Sequence, residues 1–404
     1  MNSRKKLACV AVCLVLLVGL VAGCAKSAPE PEPAPEPKFI TVGISHALTG
    51  FAAPYGTPSL NAFNILADSI NGAGGLDVGG EKHIIKSIVY DDKYDATEAA
   101  IIANRLLYED NVDVFTAFSG GAATGATEVT NKAGRFQLAV EYAAGWPNPD
   151  VPLAFARFLK YPETYSAGMP WLLENYPGVK RWATMGFNLP VGVQAEEIAT
   201  YWTAKLGLDL VARELFEPIT TDFTPVLLRI LGENPDIIDL SGSFPEANAT
   251  IAKQARGLGY TGLFVDWGGS ALATAIALVG PEVMEGFISA LEYGDPLTPE
   301  QVEFKKEYLA RYGEPFKAFA IESLVSWQAL MQAIELAGTW EDEALAHALR
   351  TGEFDTIAGK TTFGGKEYYG IDNQILYPLW LGTVKDGNVI YLAKLETGKT
   401  WPAQ

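Results

Sequence analysis

Three consecutive residues, Ser119-Gly120-Gly121, combine residue types and placing suited to chemistry. They follow an apolar run at 112–118 that reads as a buried strand, and they open an Ala/Thr-rich segment of helical spacing that ends near Gly134. A helix entered there aims its free backbone N–H groups and the positive end of its dipole at whatever lies in front of it. Glycine lets an anion approach closely, so a carboxylate suits the position. The chemically silent alternative is a plain strand-to-helix turn.

Signatures of catalysis or cofactor binding are otherwise missing. The chain has no Gly-x-Ser-x-Gly elbow and no His-Glu-x-x-His motif. Gly359-Lys360-Thr361 has the tail of a phosphate-binding loop, but Phe354 stands where the first glycine belongs, and a turn with a solvated lysine fits better. The glycines at 72, 74, 75, 79 and 80 follow a helix, where a dinucleotide fingerprint must precede one. His46, His83 and His347 are scattered, with no Cys or acid cluster beside them, and predict no metal site. Asn248-Ala249-Thr250 has the spacing of a glycosylation acceptor, which the bacterial secretion signal described below makes a chance match. The expectation is a binder with no cofactor, not an enzyme.

The elements that must position a binding site begin at residues 39–92. Residues 39–45 alternate as a strand does; the loop 46–56 carries Gly50, Pro54 and Gly56; Thr57 stands as N-cap before Pro58, with helical spacing through Ile70. Gly72, Gly74 and Gly75 stop that helix, and a second strand at 83–90 completes a right-handed parallel βαβ unit. Ligands in such sheets sit beyond the carboxyl ends of the strands, which singles out the loop 46–56. The alternation continues with a helix capped by Asp95 and Glu98, strands at 112–118 and 136–140, and a loop at 141–152 holding Trp146. Beyond Pro162 come a helix, a strand at 181–187, a helix at 193–206 and a strand at 208–215, then elements at 222–231, 236–240, 246–258 and 263–266. Residues 298–350 read as mostly helical, and strands at 375–384 and 389–393 close an α/β chain.

Residues 1–23 have a basic head (Arg4, Lys5, Lys6) and an apolar run at 7–22 that falls short of the roughly 20 residues a spanning helix needs, so they read as a secretion signal. Val21-Ala22-Gly23-Cys24 resembles a bacterial lipobox, in which the cysteine is acylated. Cys9 and Cys13 leave with the signal, so no internal disulfide is expected. Residues 24–37 continue from that cysteine into a tether with prolines at 29, 31, 33, 35 and 37, whose polyproline geometry at roughly 3 Å per residue spans up to about 40 Å. The remainder is long enough for two domains. Net charge is −18, and −21 once the three signal cations are gone, spread without long single-sign runs; nucleic acid is an improbable partner.

With these features read, the chain resembles the extracytoplasmic solute-binding proteins of the branched-chain amino-acid type, which feed ABC importers. The stretches that carry the likeness are ITVGISHALTGFAAPYG, ADSINGAGGL, IVYDDKYDATEAAIIANRLL, FARF at 155–158 and KQARGLGYTGLF at 253–264. The resemblance implies the type I periplasmic binding fold, two doubly wound parallel-sheet lobes joined by three crossings, with ligand held in the cleft as the lobes close. It implies one lobe at 39–158 plus 288–375 and the other at 159–287 plus 376–404. It implies ABC permease and ATPase subunits as partners, and the chain is expected to be a monomer.

Carried across position by position, the family's binding residues fall unevenly. Tyr55 matches the first-loop aromatic, and Phe118 and Ser119 the wall before the helix N-terminus. The hydroxyl that grips the ligand carboxylate falls on Gly120, beside Gly121, and a second one falls on Gly145, beside Ala143 and Trp146. The acid that pairs with the ligand ammonium falls on Gly268, with Asp266 two positions earlier and Trp267 between. A second-lobe aromatic is replaced by Val191, and another position reads Ser243-Phe244. A buried ammonium without an acid costs several kcal/mol, so such a pocket should reject zwitterions unless Glu141 or Asp266 supplies the acid from a shifted place. Trp146, Trp267, Phe118 and Phe244 add aromatic area that favours a flat or apolar ligand, stacked between Tyr55 and the two tryptophans. A sensor that reports ligand to a signalling partner is the alternative use of the same clamshell.

The lipobox is testable in cell fractionation. Wild type should partition with membranes while Cys24→Ala is soluble or unprocessed, since a thioether-linked lipid with an amide-linked chain supplies the two hydrophobic anchors that stable attachment needs. Equal solubility of both forms removes the lipid anchor.

Overall fold

The computed structural model describes residues 37–118, 120–142, 145–268, 272–291, 293–315 and 319–401. The signal segment, Cys24 and the tether to residue 36 lie outside the described residues, as do Ser119 and Ala143.

Two twisted sheets divide the chain. β1 (Lys38–His46), β2 (Leu76–Val78), β3 (Glu81–Asp91), β4 (Val114–Ala117), β5 (Gln137–Ala139) and β6 (Ala154–Ala156) start the first. β7 (Arg181–Phe187), β8 (Asp209–Phe216), β9 (Ile237–Gly242), β10 (Leu263–Asp266) and β11 (Phe287–Leu291) form most of the second. The chain returns to the first sheet with β12 (Phe354–Thr356), β13 (Gly359–Gly364) and β14 (Gln374–Leu376), then ends in the second with β15 (Leu379–Lys385) and β16 (Asn388–Leu395). Spatial order is β12-β13-β14-β6-β5-β4-β1-β3-β2 in one sheet and β16-β15-β11-β10-β9-β7-β8 in the other. The chain therefore crosses between lobes after β6, after β11 and at Tyr377-Pro378.

β1 sits between β3 and β4, parallel to both, with Ser45 opposite Tyr90 and Ala117. Covered on both faces, it has no need of strict alternation, and Ile40, Val42 and Ile44 are fully buried. The βαβ unit and the α/β pattern are thus as the sequence implies, and Asp95 caps its helix, accepting from the Glu98 N–H at 2.8 Å.

Four expectations need correction. The first helix spans Ala53–Gly72, so Thr57 is no cap and Pro58 lies inside it. Gly56 explains why: a Cβ there would stand 2.0 Å from the Ala47 carbonyl oxygen, so this glycine admits the strand end against the helix and marks no loop. His46, expected in an exposed loop, is the last residue of β1 and is buried; burial and the nearby Arg157 hold its pKa well below the usual value, and its Nε2 meets the Ser59 hydroxyl at 3.0 Å. The single strand expected at 375–384 is broken at Tyr377-Pro378, where proline lacks the N–H a ladder needs, and its halves serve different sheets. The return to the first lobe expected at 288 comes after β11, which pairs with β10 and β15 in the second sheet.

Each lobe has its own core. Phe63, Trp327 and Ile334 belong to the first, where the helix Ala320–Ala337 lies against Ala53–Gly72. Trp182, Phe264 and Trp267 belong to the second. A Cβ on Gly168, in the helix Tyr161–Asn175, would meet the Trp267 ring at 2.5 Å. Gly168→Ala should lower stability by about 1–3 kcal/mol in chemical denaturation, through overpacking, whereas Gly178→Ala, with open space around it, should stay within about 0.5 kcal/mol.

Candidate functional site

Parallel strands of both sheets end toward the junction of the lobes, and there the chain encloses a cavity of about 50 Å³. One water needs roughly 10–15 Å³ in this measure, so several would fit. The first lobe contributes Tyr55, Tyr94, Phe118, Gly120, Val140 and Phe158 to its wall; the second contributes Tyr161, Val191, Ser241, Ser243, Phe244, Asp266 and Gly268. Ala52, Tyr142, Pro245 and Phe319 complete it.

The wall is mainly aromatic because loops after β1, β4 and β5 meet those after β9 and β10. Tyr55 and Phe244 approach to 4.5 Å between ring centroids across the lobes, and the Tyr55 hydroxyl donates to Glu246 at 2.5 Å. Burial, then the Glu246 charge, pushes the Tyr55 phenol well above its ordinary pKa, so it stays a donor. Phe158 and Phe319 stack in parallel at 5.5 Å, with Phe118 edge-on to both.

Polar groups are few. Asp266 is 4% exposed, and accepts from the Gly268 N–H at 2.8 Å and from Asn248 Nδ2 at 3.2 Å. Burial raises its pKa well above the carboxylate range, and the Asp239 and Glu322 carboxylates add to this. Among the described residues lining the cavity there is no Lys, Arg or His. Behind the wall, Asp239 takes bonds from the Tyr165 and Ser241 hydroxyls and Trp182 Nε1, and burial lifts its pKa to about 6. Tyr161 donates to the Ser241 carbonyl at 2.5 Å. Among the described residues no cluster of three His, Cys, Asp or Glu could hold a metal.

Of the residues singled out by sequence, Tyr55, Phe118, Gly120, Val191, Phe244 and Asp266 line this cavity. Gly121 is not in the wall; its backbone N–H lies near the Tyr94 hydroxyl and partly offsets the effect of burial on that phenol. Gly145 is exposed in a left-handed turn, away from the wall. The two tryptophans are corrections. Trp267 is fully buried against Gly168 and Tyr165 in the second-lobe core, because side chains alternate along a strand: Asp266 faces the cavity, so its neighbour faces away. Trp146 is buried among the alanine-rich helices of the first lobe, and its carbonyl accepts from Lys160 Nζ. Neither lines this cavity; Trp267 borders an adjoining one that shares Tyr142, Phe158, Gly268 and Phe319 with it. Glu141 is absent from the wall; the Thr124 hydroxyl donates to it.

Sequence reading missed Tyr94, Tyr142, Phe158, Tyr161 and Phe319. Four of these follow strand ends or open a helix, and Phe158 sits within the FARF stretch. The rule that placed a site at the carboxyl end of β1 applies equally to β3, β5 and β6. Gly268 has a steric reason to be glycine: a Cβ would meet the Ser241 carbonyl oxygen at 2.6 Å and Tyr161 Oη at 3.0 Å, so an acidic side chain has no room there.

Similarity to known proteins agrees with this architecture. Residues 40–388 match the periplasmic binding protein family. A Leu/Ile/Val-binding protein of Rhizobium johnstonii is 26% identical over 339 residues, 80% of this chain and 87% of the relative. A branched-chain amino-acid transporter substrate-binding protein of Streptococcus pneumoniae, solved with isoleucine, superposes with a TM-score of 0.73 at 19% identity, covering 89% of this chain and all of that one. An ABC-transporter solute-binding protein of Rhodopseudomonas palustris, solved with benzoate, gives 0.73 at 17% identity, covering 90% and 99%. With two doubly wound lobes, three crossings and a match over nearly its whole folded length, the chain belongs to the periplasmic binding protein family and has its type I fold.

Proposed function

We propose that this protein is the lipid-anchored, extracytoplasmic binding component of an ABC importer, and that its lobes close on a small organic acid with a flat or branched apolar body. The observation that carries this reading is the inter-lobe cavity itself, walled by aromatic rings from both lobes and supplied with phenol and serine hydroxyls. Apolar walls with a few convergent polar groups are the usual form of a small-molecule site. Relatives with the same fold were solved with benzoate and with isoleucine, which fits an apolar body joined to a carboxylate. Closure is a population shift whose size is set by the ligand's differential affinity for the open and closed forms, and the closed form is what a permease with its ATPase would accept.

One observation favours a second reading. Asp266 lies in the wall, two residues before the position to which the resemblance assigns an acid for the ligand ammonium, and no cation is among the described lining residues. In that reading Asp266 takes the ammonium of a hydrophobic amino acid. The two readings differ in the sign of their pH dependence. A ligand carboxylate beside Asp266 favours the protonated acid, so its binding takes up a proton and weakens as pH rises through the raised Asp266 pKa. An ammonium favours the ionised form, so its binding strengthens over the same range.

A thermal-shift screen should find that benzoate-like acids raise the melting temperature more than leucine, isoleucine or valine does; a larger shift with leucine selects the amino-acid reading, and no shift with any of them removes both. Calorimetry of the stabilising compound between pH 4 and 8 should show affinity falling with pH for the organic acid, a slope that Asp266→Asn abolishes. A rising slope would identify an ammonium at Asp266.

A further inference from the structure

Tyr94 stands in a backbone conformation that side-chain-bearing residues avoid. Lys93 and Tyr94 have φ of 54° and 65°, and both are held there by aspartates: the Lys93 N–H donates to Asp91 Oδ1 at 3.0 Å and the Tyr94 N–H to Asp92 Oδ1 at 2.9 Å. Asp92 is itself fully buried and takes the Ser45 hydroxyl at 2.9 Å. Two consecutive left-handed residues cost of order 1–3 kcal/mol each, and the turn they make delivers the phenol across the end of β4 into the cavity wall.

The phenol arrives where a side chain is missing. A Cβ on Gly120 would lie 2.9 Å from Tyr94 Oη and 3.2 Å from Tyr142 Cδ2, so any residue larger than glycine at 120 must displace the hydroxyl. Phe51 packs edge-on to the Tyr94 ring at 5.2 Å and fixes its other side.

We infer that Tyr94 grips the acidic end of the ligand, its phenol occupying the space that a side chain at position 120 would fill and its O–H donated to a carboxylate. The assignment rests on the cavity being the ligand site and holds for an aromatic acid and an amino acid alike. Burial pushes the phenol pKa up to about 12, so near pH 7 it keeps the proton it must donate. Among the described lining residues there is no lysine or arginine, so a neutral donor polarised by the helix N-terminus can meet the anion in the wall itself, while the buried Arg157 guanidinium stands behind the Phe118 and Phe158 rings.

Titration calorimetry with benzoate and with leucine as probes tests this on wild type, Tyr94→Phe, Gly120→Ser and the double variant, with melting temperatures of the empty proteins as a folding control. Tyr94→Phe should weaken the probe that wild type binds by roughly 10- to 100-fold, the loss of one hydrogen bond to a charged group, while its empty form melts as wild type does. Gly120→Ser alone should also weaken binding, since it collides with the phenol. In the double variant the loss of the phenol oxygen frees the space and the serine supplies a hydroxyl, so affinity should recover to within about tenfold of wild type, a rescue that a merely structural role for Tyr94 would not produce. Unchanged affinity in Tyr94→Phe, or a double variant no better than Tyr94→Phe, overturns the assignment while the ligand site stands. A wild type that binds neither probe overturns the site reading, and the assignment with it.

Discussion

A carboxyl group that must be buried to reach the cleft governs the second-lobe wall. Asp266 ends β10 facing inward, and the groups around it are arranged to satisfy its oxygens without a cation: the Gly268 N–H holds one and Asn248 the other, while the Ser243 hydroxyl fixes Asn248 in turn through a bond of 2.5 Å. Because Asp266 takes the inward direction, Trp267 is sent into the core, which in turn requires glycine at 168. Gly268 must then bend back beside the Ser241 carbonyl and Tyr161, where no side chain fits. Placing one carboxyl group thus requires glycine at two further positions, 168 and 268.

The first lobe meets a related constraint from the opposite direction. Its wall needs a close approach to the backbone at Gly120, and that approach is filled by a residue from the loop after β3. The pivot between the lobes is polar and buried: the Lys160 N–H donates to Glu163 at 2.7 Å, and the Tyr369 hydroxyl to the other oxygen at 2.9 Å. Burial raises the Glu163 pKa and lowers that of Lys160, where the chain first changes lobes, and the attraction between the two charges opposes both shifts. Across the cleft mouth, Tyr55 and Glu246 are the contact that opening must break.

Much of the fold was legible because its signals are local. β1 announces itself by an apolar run, the helix after Asp95 by its cap, and β7 and β10 by runs whose ends coincide with the observed strands. What failed depended on distant parts of the chain. Thr57-Pro58 is a sound helix start by its own chemistry, yet Ala47 packs against Gly56 and the helix begins five residues earlier. Ile375 to Val384 reads as one strand until two sheets compete for it. In the site, inheritance from related sequences located Tyr55, Phe118, Gly120, Val191 and Phe244, since aligned positions share backbone placing. It could not reveal Tyr94, whose role arises only from where the loop after β3 arrives, nor could strand-end position tell that the indoles of Trp146 and Trp267 turn inward.

The pairing of β14 with β6, Gln374 opposite Ala156, has a consequence for how the chain is made. Until β14 emerges from the ribosome, β6 is an open sheet edge, and the Gln374 side chain that donates to the Phe158 carbonyl at 2.7 Å does not yet exist. Synthesis at about 5–20 residues per second leaves that edge unpaired for roughly 10–40 s. Neither lobe can finish its sheet before nearly all of the polypeptide is available, so the final segment acts as the clasp that completes both lobes at once.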